Sequence, residues 1–397
     1  MKRHIYVCKF TIILFIINLC IFFLGGDLLC FQVSAEENVK DTELEEIIEE
    51  QIGKLDLDAL QKYVDSLDGF DNQTVADRLL TYIKGAEFDY KSFGQNITRV
   101  FFKRIQEILP AFACITAVTL LSGILSTLKS GTAGQSSSEM IFIITYAAAL
   151  IPLLGVLTDV FKLSQESVAS MQKQMQLVFP IMLTLMAASG GTVSAAVCRP
   201  AVAFFSTTIV SVIDVVVFPI TVTIIVFSMV SKLTKELKIS KFTAFFKSIN
   251  KWIIGICVSV FGIFFTLQGI TSVAYDGIVR RAAKYAIGNG VPIVGGFLSG
   301  GFDLAVAGGI LIKNSLGSMS IFLMLSVLFE PLIMLIAINL LLRLVSAITQ
   351  PFGEGRISDF LGETAENLHY CTAGILFTAF LYFLSIMVMI FSTEALL

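Results

Sequence analysis

Four carboxylates, Asp159, Asp214, Asp303 and Glu330, stand within or at the edges of long apolar stretches of this chain. A charge is expensive in such surroundings, and acids placed there line ion or substrate pathways and proton relays. Asp214, midway along Ala201 to Val230, and Glu330, directly before Pro331, are the two that snorkelling explains least well. Two readings are open. In one, the acids line a pore or a carrier; in the other, each is paired with a base such as Arg199 or Arg343, or is held neutral between helices. Glycine forms a second pattern. Gly288-Asn289-Gly290, Gly295-Gly296, Gly300-Gly301 and Gly308-Gly309 crowd one short region, and Gly296 to Gly300 makes a GxxxG, which lets helices approach closely. Tight packing and a dedicated substrate loop are the alternatives.

Other chemistries lack their residues. Beyond the N-terminal region the sole histidine is His369, so neither HExxH nor a histidine-based zinc set exists. The seven cysteines form no CxxC spacing, and several fall in or beside apolar stretches, where a thiol acts as a small packing group. Ser189 in Ala188-Ser189-Gly190-Gly191 has no evident base to activate it. No GxxxxGK[ST] loop is present to hold a nucleotide. The sequence therefore predicts no catalytic residue, no cofactor, no metal and no nucleic-acid partner.

The elements that must position these residues are membrane helices. The chain is 55% hydrophobic and 15% charged, where soluble domains carry about 25% charge. Ile108 to Leu128, Met140 to Phe161, Met175 to Val197, Ala201 to Val230, Trp252 to Ala274, Val291 to Ile312, Met319 to Leu342 and Thr372 to Phe391 each approach or exceed the ~20 residues needed to span a bilayer. Backbones in lipid must satisfy their own hydrogen bonds, so the expected class is all-α, a polytopic helical membrane protein of six to eight spans over 108–397.

Residues 1–35 have the form of a signal peptide: Lys2 and Arg3, an apolar run from Phe10, and a small-x-small site that predicts cleavage after Ala35. An uncleaved anchor helix and a lipoprotein at Cys30 are the alternatives. Residues 36–107 then carry seventeen acids against nine bases and form an expected acidic, helical, extracytoplasmic unit. Within it Leu44, Ile47, Ile48, Ile52, Leu55 and Leu60 follow a helical stripe, with Glu45, Glu46, Glu49 and Glu50 opposite. This is either a solvated amphipathic pair or a docking arm. Phe93 to Arg104 and Lys232 to Lys251 read as interfacial helices, the latter with Lys232, Lys235, Lys238, Lys241, Lys247 and Lys251 among aromatic and aliphatic residues. A shift of 112 residues superimposes Pro180 and Pro219 on Pro292 and Pro331, which suggests two repeated units, 139–235 and 251–347; convergent hydropathy is the alternative. If every stretch crosses, the lysine segment lies outside. If Met175 to Val197 and Val291 to Ile312 are re-entrant hairpins it lies inside, as the positive-inside tendency favours.

Leu55-Asp56-Leu57-Asp58-Ala59-Leu60, Tyr275 to Lys284, Val291-Pro292-Ile293-Val294-Gly295-Gly296, Lys313-Asn314-Ser315-Leu316-Gly317 and Gln350-Pro351-Phe352-Gly353, in that order, resemble the stage III sporulation protein AE family of endospore-forming bacteria. The resemblance implies a membrane component of the channel complex that joins mother cell and forespore, needed for late forespore gene expression. It implies residence in the mother-cell-derived outer forespore membrane. Implied partners are membrane lipids, other stage III A operon proteins including a ring-forming component and a separate ATPase, a forespore channel partner and a YidC-type insertase. The residue-level alternative is an autonomous secondary transporter of a small solute, motivated by the buried acids and the suggested repeat.

Overall fold

The computed structural model describes residues 38–67, 74–84, 90–129, 135–233, 239–264, 295–351 and 355–394, all in helices and the turns between them. The signal segment with Ala35, residues Lys235 and Lys238, and the Tyr275 to Lys284 motif lie outside the described residues. Among the described residues ten helices follow one another: α1 (Asn38–Gly53), α2 (Asp58–Val64), α3 (Val75–Ile83), α4 (Tyr90–Lys129), α5 (Gln135–Ala188), α6 (Thr192–Leu233), α7 (Ser240–Phe264), α8 (Gly295–Thr349), α9 (Gly355–Asn367) and α10 (His369–Glu394). Six segments among the described residues are long and apolar enough to cross a membrane, in α4, α5, α6, α7, α8 and the α9–α10 pair.

The eight apolar stretches become six helical segments because two hydropathy minima are not turns. Lys162 to Gln174 is polar but contains neither glycine nor proline, and Lys162 reaches Glu166 one turn on (3.9 Å), so α5 runs unbroken through 54 residues. Lys313 to Ser318 likewise stays helical inside the 55 residues of α8. At ~1.5 Å per residue each of these helices is roughly 80 Å long, more than twice the thickness of a bilayer core.

Two antiparallel hairpins organise the bundle. In the first, α5 turns at Ser189-Gly190-Gly191 into α6; Gly190 takes φ 92°, a conformation that glycine adopts freely. The arms stay in register far from that turn, with Gln172 Nε2 donating to Ser211 Oγ (3.3 Å) and the Tyr146 hydroxyl to the Met229 carbonyl (2.9 Å). In the second, α8 pairs with α9 and α10: Ser346 Oγ donates to the Ser358 carbonyl (2.9 Å), Asn339 to that of Ala365 (2.5 Å) and Lys313 to that of Ile390 (2.7 Å). The hairpins meet through α5 and α8, where Ser167 donates to the Val327 carbonyl and Gln174 to that of Leu323. In these positions Met171, Met175, Leu323 and Met324 are fully buried.

The suggested repeat has no counterpart in these breaks. The Ser189–Gly191 turn, shifted by 112 residues, falls at 301–303 inside continuous α8. Phe93 to Arg104 is the opening of continuous α4 and leads into its apolar stretch. The acidic segment folds with its apolar stripe inward: Ile48, Ile52, Leu60, Val64, Val75 and Leu79 are buried in the same core as the long helices, while Glu45, Glu46, Glu49 and Glu50 stay exposed. α1 and α3 pack on α8, and α2 on α5.

Candidate functional site

The acidic residues do not converge. Asp303 and Glu330 both belong to α8, 27 positions apart, which is about 40 Å along a helix axis. Glu330 forms an ion pair with Arg104, which also binds Glu107 (2.7 Å), so the base that satisfies it comes from α4 and is neither Arg199 nor Arg343. Arg343 is exposed; its Nε donates to Asn339 Oδ1 (2.9 Å), and Nη2 lies 3.4 Å from His369 Nε2. Asp159 is exposed on α5. Asp303 is half-buried at the start of α8, two residues before Ala305, whose carbonyl accepts a hydrogen bond from Gln51 of α1 (2.9 Å). Gly296 and Gly300 fall in the first turns of α8.

Asp214 has the most unusual backbone. Within α6 the segments Phe205–Ile209 and Ile213–Val217 are π-helical, and Asp214 sits in the second with its Oδ1 buried and without a hydrogen bond. Such insertions of one residue per turn occur often at functional sites. Here they meet other helices: Gly374 of α10 approaches so closely that a Cβ on it would stand 2.9 Å from Ile213 Cγ2 and 3.1 Å from Phe218 Cε1. From α7, Asn250 donates to Thr221 Oγ1 (2.9 Å).

The Lys313-Asn314-Ser315-Leu316-Gly317 motif is a seat for the end of α10. Lys313 is fully buried, and its ammonium donates to the Ile390 carbonyl close to the negative end of the α10 dipole. A Cβ on Gly317 would lie 2.6 Å from Ile390 Cδ1 and 2.9 Å from Cγ1, so only hydrogen fits without a shift. Sequence reasoning missed this site. Its signal was the helical spacing that puts Lys313 on one face with Leu316, Ser320 and Leu323, all buried.

The N-terminal helices are fastened by comparable polar contacts. Gln174, fully buried in α5, donates both to the Tyr63 hydroxyl (2.9 Å) and to Leu323, while Lys173 Nζ lies 5.3 Å from the Tyr63 ring centre. Burial pushes the Tyr63 phenol above its ordinary value, opposed by hydrogen bonds with Gln174 and Ser170. Gly309 of α8 faces Ser189, to whose Oγ a Cβ would come within 2.7 Å, and Gly308 faces Ile48 of α1.

The lysine segment is divided. Lys232 closes α6 and binds Glu363 (2.9 Å) and Asp359 (3.9 Å) of α9; Lys241, Lys247 and Lys251 belong to α7, a helix of membrane length. Counted along α8, the level of Glu363 is about 50 Å from Ala305 and its α1 contact, so Lys232 and the acidic helices occupy opposite ends of the bundle. Between the arms of the first hairpin, near its turn, lies a cleft of about 630 Å³ with Arg199 on its α6 wall. Among the described residues no group of three or more His, Cys, Asp or Glu is placed to hold a metal ion.

Comparison with known proteins adds two findings. Residues 75–393 match the family of Stage III sporulation protein AE (spore_III_AE). The chain is similar to the Stage III sporulation protein AE of Bacillus subtilis (strain 168), 25% identical over 273 residues that cover 69% of this chain and 68% of the relative. No solved structure matches it.

Proposed function

Since the chain belongs to the Stage III sporulation protein AE family, we propose that it is a membrane subunit of a secretion-like channel between mother cell and forespore, working as a packed platform that takes its energy from a separate ATPase. One observation carries the platform reading: three polar residues of the apolar helices are engaged in separate contacts between helices. Glu330 serves α4, Lys313 serves α10 and Gln174 serves α2. A carrier needs its acids gathered around one central site. Asp303 and Glu330, about 40 Å apart, do not share one.

On this reading residues 1–35 are a signal peptide cleaved after Ala35, 36–107 form an extracytoplasmic acidic unit seated on the bundle, and 108–397 form the membrane domain. Six crossings with the acidic helices outside put Lys232 and the start of α7 in the cytoplasm, where basic residues favour anionic lipid or an ATPase. The exposed acidic face, Glu45, Glu46, Glu49 and Glu50, is offered to partners between the two membranes. The partners are the other stage III A operon proteins, among them a ring-forming component, and a forespore channel protein; insertion uses a YidC-type insertase. The site of action is the mother-cell-derived outer forespore membrane. Asp214, Asp303, Glu330, Arg343, Gly296 and Gly300 act in packing the platform and not in chemistry.

The test is affinity purification of the tagged chain from sporulating cells in mild detergent. Channel proteins recovered in fixed proportion support the platform. A monodisperse chain without partners, together with solute uptake in liposomes that Asp214→Asn or Glu330→Gln abolishes, would replace it with a secondary transporter.

A further inference from the structure

Residues 174–213, the whole turn end of the first hairpin, contain one charged side chain, Arg199. The arms touch at Ser189–Gly191 and again where Gln172 donates to the Thr207 carbonyl and Ser211 Oγ (both 3.3 Å). Between those points Met186 of α5 packs against Ala195 and Cys198 of α6, and beside these contacts the 630 Å³ cleft opens. Its walls are apolar at Met175, Phe179 and Leu183 on α5 and at Ala195, Val202 and Ala203 on α6, and polar at Gln176, Thr184, Thr192, Ser206 and Thr207. Val197 and Phe204 are 40% and 46% exposed on the same arm of α6.

Arg199 is exposed in this cleft and makes no hydrogen bond or ion pair among the described residues. The nearest acid on its own helix, Asp214, is 15 residues on, about 22 Å away along the axis. No carboxylate lines the cleft. A cation in so apolar a segment is costly unless an anion meets it, and a guanidinium fits a phosphate through two parallel hydrogen bonds. A small soluble anion would satisfy Arg199 and leave the apolar walls uncovered. An amphiphile satisfies both.

We infer that the cleft between α5 and α6 binds one anionic membrane phospholipid, its phosphate on Arg199 and an acyl chain along the apolar walls. The inference does not depend on the channel reading; it follows from an unpaired cation, a cleft of ligand size and walls that water solvates poorly.

Native mass spectrometry of the full chain in mild detergent, titrated with dioleoylphosphatidylglycerol or dioleoylphosphatidylcholine, tests it. One phosphatidylglycerol should be retained at roughly tenfold lower concentration than phosphatidylcholine, a difference of about 1.4 kcal/mol. Arg199→Gln should erase that preference, Arg199→Lys should keep part of it, and Ala196→Trp, which fills the cleft, should reduce retention of both lipids. Lys241→Gln, outside the cleft, should change nothing. Equal retention of the two lipids by the unmodified chain overturns the proposal whatever the variants do. Displacement of phosphatidylglycerol by millimolar inorganic phosphate would assign Arg199 to a soluble anion instead. A photoreactive residue at position 196 that captures a protein in cells, and no lipid, would assign the cleft to a partner.

Discussion

At Gly317 a single hydrogen stands where a methyl group would press into Ile390, and this spacing sets how closely α10 lies on α8. Gly317→Ala should lower stability by about 1–3 kcal/mol, the usual cost of overpacking. Ile390→Val, which removes the Cδ1 atom in closest approach, should restore part of the loss; thermal unfolding of the purified variants in detergent checks both. The Arg104–Glu330 pair is weaker than its place in apolar helices suggests, because its side chains remain 29% and 41% exposed. With solvent screening discounted, a double-mutant cycle of Arg104→Gln and Glu330→Gln should give a coupling of about 1 kcal/mol or less. Both residues stand out in the sequence, one as a base and one as an intramembrane acid. Their pairing does not, because 226 positions separate them and no local spacing rule reaches that far.

The element most dependent on irregular geometry is α6. Each π-helical turn inserts one residue and rotates the following face by about 100°. The rotation lets Ser211 face Gln172 of α5, while Ile213 and Phe218 face Gly374 of α10 and Thr221 faces Asn250 of α7. Deleting Val215, 68% exposed in the second π segment, should restore a regular helix and misalign one set of these contacts, with a large fall in unfolding temperature. Val215→Ala keeps the count and should change stability by no more than about 0.5 kcal/mol. Equal stability of the deletion and the parent would remove any positioning role from the π turns. Hydropathy cannot show this feature, since Ala201 to Val230 is uniformly apolar and a π turn leaves composition unchanged.

Across the whole molecule, the acidic helices and Lys232 sit at opposite ends of the hairpins. A membrane-impermeant maleimide applied to protoplasts should therefore label Glu46→Cys but not Ser240→Cys, each in a cysteine-depleted background. Labelling of both from one side would contradict the arrangement. Labelling of Ser240→Cys alone would invert the orientation. The sequence left the side of the lysine segment open because parity depends on how many stretches cross. On the proposed reading, with the acidic helices outside, continuous α5 leaves three crossings before Lys232 closes α6.

The sequence by itself determined that the chain is a helical membrane protein, since sustained apolar runs admit no other backbone in lipid. It also fixed the inward face of α1, whose stripe from Leu44 to Ile52 is half-buried or buried while Glu45, Glu46, Glu49 and Glu50 are exposed. These are properties of neighbouring residues. Only the tertiary structure decided that the acidic segment shares the core of the long helices, that Lys313 meets the end of α10, that Glu330 belongs to Arg104 and that Arg199 is left facing a cleft. Each is a meeting of side chains from distant helices. The register of two long hairpins and the added residues of two π turns place them, and neither is encoded in any short window of hydropathy.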